Sequence, residues 1–144
     1  MSEHLKALII GLDGATFSVF DRLMAAGHLP NLKKLLAVSA RRPCLSTIPP
    51  ITALAWPTVM TANNPGKHGL LGWQEPLNAH FERPWSNARQ VRGYRIWHYL
   101  NAVGYRVCLA NVPVTYPPEP IDGAMVTGML KIQDGCQMWV KYAH

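Results

Sequence analysis

The chain reads as an α/β protein with a mostly parallel, doubly wound sheet, and three observations predict that class. Residues 6–12, Lys-Ala-Leu-Ile-Ile-Gly-Leu, form a continuous apolar run of strand length. That is the pattern of a central parallel strand buried on both faces. Residues 95–103 carry a helical apolar pattern that Gly104 stops, and residues 105–110 follow as a strand. Such an αβ pair is the unit from which a wound sheet is built. Residues 124–128, Ala-Met-Val-Thr-Gly, add one more strand.

The whole chain sets bounds. Its 144 residues, 49% of them hydrophobic, suffice for one core, so one domain or part of one is expected. The net charge of +6 suits an anionic ligand. The fourteen Lys and Arg are scattered, however, with short pairs only at Lys33-Lys34 and Arg41-Arg42, which favours a phosphate group over nucleic acid. The lysine pair reads as a solvated helix face. Three cysteines, Cys44, Cys108 and Cys136, are widely spaced and odd in number, as free thiols in a reducing compartment would be. The N-terminus shows neither a signal peptide nor a membrane span, and a cytoplasmic location is the expectation.

In chain order, Asp13 ends the first predicted strand and Gly14 follows it. Ligands of open α/β sheets gather at that carboxyl edge, so Asp13 can reach a cation; an ordinary Asp-Gly turn fits the same residues. Phe17, Phe20, Leu23 and Met24 recur at helical spacing up to Gly27, a stop signal. Residues 29–36 give a second helix with Asn31 as its cap. Residues 40–47 return extended to the pair Pro49-Pro50.

Residues 47–69 concentrate the chemistry. The proline pair biases the backbone before it to extended conformation, and Thr52 follows where an apolar run begins. A hydroxyl there can cap backbone N–H groups, or face the positive helix end as a nucleophile whose developing charge that end stabilises. Leu54, Trp56, Val59 and Met60 supply the buried surface of the helix, and Pro57 is expected in its first turn. Asn63-Asn64-Pro65-Gly66 is a turn signal, with Lys67 and His68 on the loop after it and His68 in a structural role. Residues 77–92 read as a long surface excursion, and residues 113–120 as a rigid proline-rich loop.

Taken together, Gly11-Leu12-Asp13-Gly14-Ala15, Leu29-Pro30-Asn31-Leu32, Thr52, Thr61-Ala62-Asn63-Asn64-Pro65-Gly66-Lys67-His68-Gly69 and the run from Asn111 to Pro120 resemble the alkaline-phosphatase superfamily. Within it the chain is most similar to the type I phosphodiesterase/nucleotide pyrophosphatase-like branch of phosphohydrolases and phosphomutases. There a metal-binding Asp ends the first strand, and a Thr or Ser nucleophile opens a helix leading to a Thr-Gly-x-x-Pro-x-x-His-Gly segment. The resemblance spans roughly residues 5–130. Two positions depart from the pattern: Ala62 replaces the usual Gly, and Trp73 stands where nucleotide pyrophosphatases place a phosphate-holding Asn.

The resemblance implies the N-terminal part of an alkaline-phosphatase-like α/β/α sandwich over residues 1–130, followed by a divergent tail over 131–144. It implies phosphoryl transfer from a phosphate-ester substrate at two divalent metals, zinc or manganese, with Thr52 as nucleophile and Asp13 and Thr52 as ligands of one ion. Two oxygens do not complete a site. Glu75, Glu82, Glu119, Asp122, Asp134, His68, His80, His98 and His144 fall in no recognisable ligand motif. The expectation is a nucleophile half-site, inactive or nearly so by itself. The alternatives are a phosphate-binding module without turnover and an inactive gene fragment, in which unpaired strand edges would favour self-association.

Overall fold

A computed structural model describes residues 7–128 and 140–142 of the chain. They belong to two compact units, residues 1–45 and 46–144.

The first unit is helical. The apolar spacing beginning at Phe17 forms α1, Phe17–Ala25. It stops where glycine permits: Gly27 takes φ +80°, its N–H donates to the Met24 carbonyl at 3.2 Å, and the His28 N–H donates to the Leu23 carbonyl at 2.9 Å. These two bonds satisfy carbonyls that a helix end otherwise leaves without partners. Helix α2, Pro30–Ala37, has Leu29 rather than Asn31 as its N-cap. Proline decides the start, because its fixed φ suits the first helical position and its missing N–H is not needed there. Arg41 returns to α1, donating to both Asp21 oxygens at 2.8 and 2.9 Å with its guanidinium carbon 3.9 Å above the Phe17 ring.

Residues 7–12 correct the expectation of a buried central strand. They form no strand, and Leu8 and Ile9 are 83% and 77% exposed. An apolar run supplies the tendency to be buried, but a strand exists only through its ladder to another strand. Among its described residues the first unit offers no such partner.

The second unit carries the sheet. Helices α3 (Thr52–Thr61), α4 (Pro65–His68) and α5 (Ile96–Ala102) precede strands β1 (Val107–Val112), β2 (Gly123–Thr127) and β3 (Val140–Tyr142). The strand order is β1-β2-β3, with β1 and β2 parallel and β3 antiparallel to β2. Register runs from Val107 opposite Gly123 to Val112 opposite Thr127, slipping at Asn111, whose φ is +54°. The predicted αβ unit is α5 followed by β1. Gly104 ends α5 by the same pair of bonds that ends α1, with its own N–H on Asn101 and the Tyr105 N–H on Leu100.

Packing follows from these elements. Met60 of α3, Trp97 of α5, Ile121 just before β2 and Met125 within it form one buried cluster, against which Val107, Leu109 and Val112 of β1 lie. Leu70, Val91 and Val114 form a second. Fully burying a side chain of this size is worth roughly 1.5–3 kcal/mol, which gives α3 and α5 their fixed places on the sheet.

Two details of α3 differ from expectation. Val59 is 70% exposed, while Ala53, Leu54, Pro57, Met60 and Thr61 are the buried set. Pro57 lies in the second turn, not the first. There it removes the N–H that would bond the Ala53 carbonyl, a loss that can cost about 3 kcal/mol. Its own complete burial and the Thr61 hydroxyl, which donates to the Pro57 carbonyl at 2.7 Å, offset part of that.

The excursion after α4 is ordered by backbone pairing. Gln74 and Trp85 form an antiparallel bridge, Glu75 N–H donates to the Pro84 carbonyl and Ser86 N–H to the Trp73 carbonyl. Asn78 closes the tip, its Oδ1 accepting from the N–H groups of His80 and Glu82.

Candidate active site

Thr52 is the first residue of α3. The extended residue before it, Ile51, is the N-cap, and its carbonyl accepts from the N–H groups of Leu54 and Ala55 at 3.0 and 2.9 Å. The N-cap residue Ile51 brings no side-chain hydrogen bond to this helix start. Thr52 is half-buried, while its neighbours Ala53 and Leu54 are fully packed. A half-buried hydroxyl at the positive end of a ten-residue helix can meet an anionic group and stabilise charge that develops on its oxygen.

The far end of α3 explains a departure noted in the sequence. Ala62 takes φ +55° in the left-handed region, with its N–H on the Thr58 carbonyl at 2.8 Å. This is where glycine is favoured, because a Cβ is strained in that conformation. Asn64 then caps α4, its side chain accepting from the Lys67 N–H at 3.0 Å, and Pro65 takes the first helical position. The predicted turn is therefore a single helical turn, for the reasons that make Asn-Pro a good helix start.

That turn delivers His68 into the interior at 0% exposure. Its Nδ1 accepts from the Leu70 N–H at 3.2 Å, and its Nε2 lies 3.1 Å from the Thr58 hydroxyl of α3. An Nδ1 that accepts leaves the ring proton on Nε2, so the imidazole is neutral and donates toward α3. Burial holds its pKa below the usual histidine value, partly opposed by hydrogen bonding to the Leu54 carbonyl. The histidine is thus a structural tie, with both nitrogens engaged inside the protein.

Asp13 belongs to the first unit and Thr52 to the second. Asp13 is exposed, in a turn closed by the Ala15 N–H on the Leu12 carbonyl at 3.4 Å, with Gly14 at φ +68°. Among the described residues no three His, Cys, Asp or Glu side chains lie close enough together to hold a metal ion. An ion needs about three or more protein ligands, so the described residues do not complete a metal site.

Two acidic and basic residues left over from the sequence have structural partners. Glu119 accepts from Arg95 Nη1 at 3.0 Å and from the Trp97 indole N–H at 2.6 Å, with His98 Nε2 at 3.3 Å. His98 Nδ1 accepts from the Arg95 backbone N–H at 3.0 Å, which places the proton on Nε2, facing the carboxylate. Arg95 also donates to the Ala88 and Val91 carbonyls. The network pins the proline-rich loop to α5 at a position where unpaired charge would be costly. Sequence reasoning missed it, since nothing in local spacing joins Arg95 and Trp97 to a glutamate beyond β1.

Helices together with a parallel pair of strands, β1 and β2, are consistent with part of an alkaline-phosphatase-like α/β fold. The chain belongs to the type I phosphodiesterase / nucleotide pyrophosphatase family, whose model matches residues 7–142. That match runs past Leu130 to include β3. Neither a curated protein nor a solved structure matches the chain. No helix among the described residues is long and apolar enough to cross a membrane.

Proposed function

We propose that the chain carries the nucleophile half of a metal-dependent phosphohydrolase or phosphodiesterase site, with Thr52 as the attacking residue. The family as a whole points to phosphodiester and pyrophosphate substrates. The observation that supports Thr52 in particular is its place as the half-buried first residue of α3, at the positive end of a ten-residue helix. In this reading the Thr52 oxygen forms a bond to phosphorus as the ester oxygen of the leaving group departs. Water, or an acceptor hydroxyl, then displaces Thr52 from phosphorus and restores the free side chain.

Asp13 and Thr52 would each offer an oxygen ligand to a divalent ion, zinc or manganese. Bound metal supplies the lowering of the hydroxyl pKa that a threonine needs to attack near neutral pH. Further ligands are required beyond these two, so residues 1–130 act as the N-terminal part of the catalytic domain, cytoplasmic and inactive or nearly so by themselves. Trp73 disfavours a nucleotide diester as the specific substrate, since an indole cannot offer the amide that holds a phosphate oxygen.

Titration calorimetry with Mn²⁺ or Zn²⁺ tests the reading. Asp13→Asn and Thr52→Ala are each expected to weaken ion binding by more than about tenfold, which is about 1.4 kcal/mol. Affinities unchanged in both variants would remove the metal-ligand assignment. Inorganic phosphate bound equally by metal-free wild type and Thr52→Ala favours instead a binding module without turnover. Hydrolysis of a chromogenic phosphodiester in the presence of metal, abolished by Thr52→Ala, would show that the chain suffices for catalysis.

A further inference from the structure

His68 is buried at 0% exposure, lies outside the proposed chemistry, and spends its two ring nitrogens in opposite directions. One side accepts from the Leu70 backbone N–H at 3.2 Å, anchoring the ring to the segment after α4. The other meets the Thr58 hydroxyl of α3 at 3.1 Å. Thr58 and Leu54 are four apart and share a helix face. Leu54 stands two residues after Thr52, and its N–H bonds the N-cap carbonyl that starts the helix.

The opening of α3 has need of such an anchor. Its N-cap residue, Ile51, offers no side-chain hydrogen bond, and Pro57 deletes the bond from the second turn to the Ala53 carbonyl. The backbone ladder that normally holds a first turn is therefore weakened just behind Thr52. A rigid imidazole carrying its proton on Nε2 supplies a link from outside the helix, fixed in orientation by the bond at its other nitrogen.

We propose that His68 is a positioning residue for the nucleophile: its Nε2–H, held in aim by the Leu70 N–H, fixes the first two turns of α3 and with them the place of Thr52. This rests on Thr52 being the nucleophile, while the tie to α3 is a separate statement that can fail alone. His68 touches no substrate in this account and acts only through the helix.

The ring can be divided by substitution. In His68→Asn the side-chain oxygen stands near the position of Nδ1, keeping the acceptor for Leu70 and losing the donor toward α3. In His68→Gln the amide nitrogen stands near Nε2, keeping the donor and losing the acceptor. Each variant gives up one bond of a buried group, so a merely structural histidine predicts equal effects. Amide hydrogen exchange at Leu54 and Ala55 and the Thr52 methyl resonance, measured on the full chain, separate the two ideas.

His68→Asn is expected to speed exchange at Leu54 and Ala55 by about tenfold, the loss of about one buried hydrogen bond, and to shift the Thr52 methyl. His68→Gln is expected to stay near wild type in both. Thr58→Val, which leaves the ring untouched, is expected to follow His68→Asn and decides the matter should that variant fail to fold. Equal exchange in His68→Asn and His68→Gln, or unchanged exchange in Thr58→Val, overturns the proposal. Mn²⁺ affinity distinguishes the underlying reading: if Thr52→Ala leaves it unchanged, the nucleophile assignment falls while the exchange result still decides the tie.

Discussion

The two units hold their structure by different means. In residues 46–128 helices and strands share one buried cluster, connecting segments form a second, and a carboxylate at Glu119 joins the loop after β1 to α5 through Arg95, Trp97 and His98. In residues 7–45 no described residue is fully buried, and what order there is comes from a glycine stop, a proline start and a surface ion pair that ties Arg41 back to α1. Isolated helices of nine and eight residues are marginal in water when only local terms support them. The difference teaches that similar helical periodicity in the two units carries unequal stability, because only the second has a sheet to bury it against.

Gly123→Ala gives the contrast its strongest test. An added Cβ would sit 1.8 Å from the Val107 carbonyl oxygen, and φ is +142°. The first register pair of β1 and β2 cannot close around it, and a loss exceeding about 3 kcal/mol is expected. Urea unfolding followed at Trp97 should lose its cooperative transition, while the α1 amide resonances keep their positions. Loss of both together would show that the first unit depends on the sheet.

Acid should act on the second unit through His68. Its folded pKa is lowered from 6.5, so between the two values the unfolded chain binds more protons and stability rises with pH. The contribution is fully present above about pH 6.5 and is lost as pH falls through the folded value. Denaturation midpoints across that window should decline in wild type and decline less in His68→Gln. An equal slope in both would assign the acid sensitivity elsewhere.

Smaller effects come from left-handed positions that lack a buried obstacle. Gly27→Ala puts a Cβ into open space at φ +80°, so only backbone strain is felt, about 1 kcal/mol. It should fray the end of α1 without moving the unfolding midpoint of the second unit. Ala62→Gly is the converse case and should stabilise α3 by about 0.5–1 kcal/mol, read as a rise in that midpoint. An Ala62→Gly midpoint below wild type would mean that entropy gained by the unfolded chain exceeds the relief of strain.

Much of the local structure was legible in the residues. Gly27 and Gly104 marked helix ends because only glycine enters the left-handed region without strain, whereas Asn63-Asn64-Pro65-Gly66 marked a turn and loop where the chain forms the helical turn α4. The pair of α5 and β1 followed from a change of apolar period from helix to strand. Several separated motifs in order also marked the family, which the match over residues 7–142 shows.

Side-chain pairings were not legible. His68 was readable as structural, yet nothing in Pro-Gly-Lys-His-Gly tells which helix its Nε2 faces. Glu119 looked like a spare carboxylate until Arg95 and Trp97 were found on it. Pro57 was expected in a first turn because local rules forbid it deeper, and tertiary burial overrode them.

Alone, then, the amino-acid order determined where α1 and α5 end, the family, and the candidacy of Thr52 and Asp13, since each depends on backbone preferences or on patterns within a few residues. Only the tertiary structure decided which apolar runs are buried and which polar groups meet: residues 7–12 have every local mark of a strand and are exposed, whereas Met125 of β2 is wholly enclosed. The reason is that a strand and a buried charge are properties of partners, and partners distant along the chain leave no mark in the local sequence.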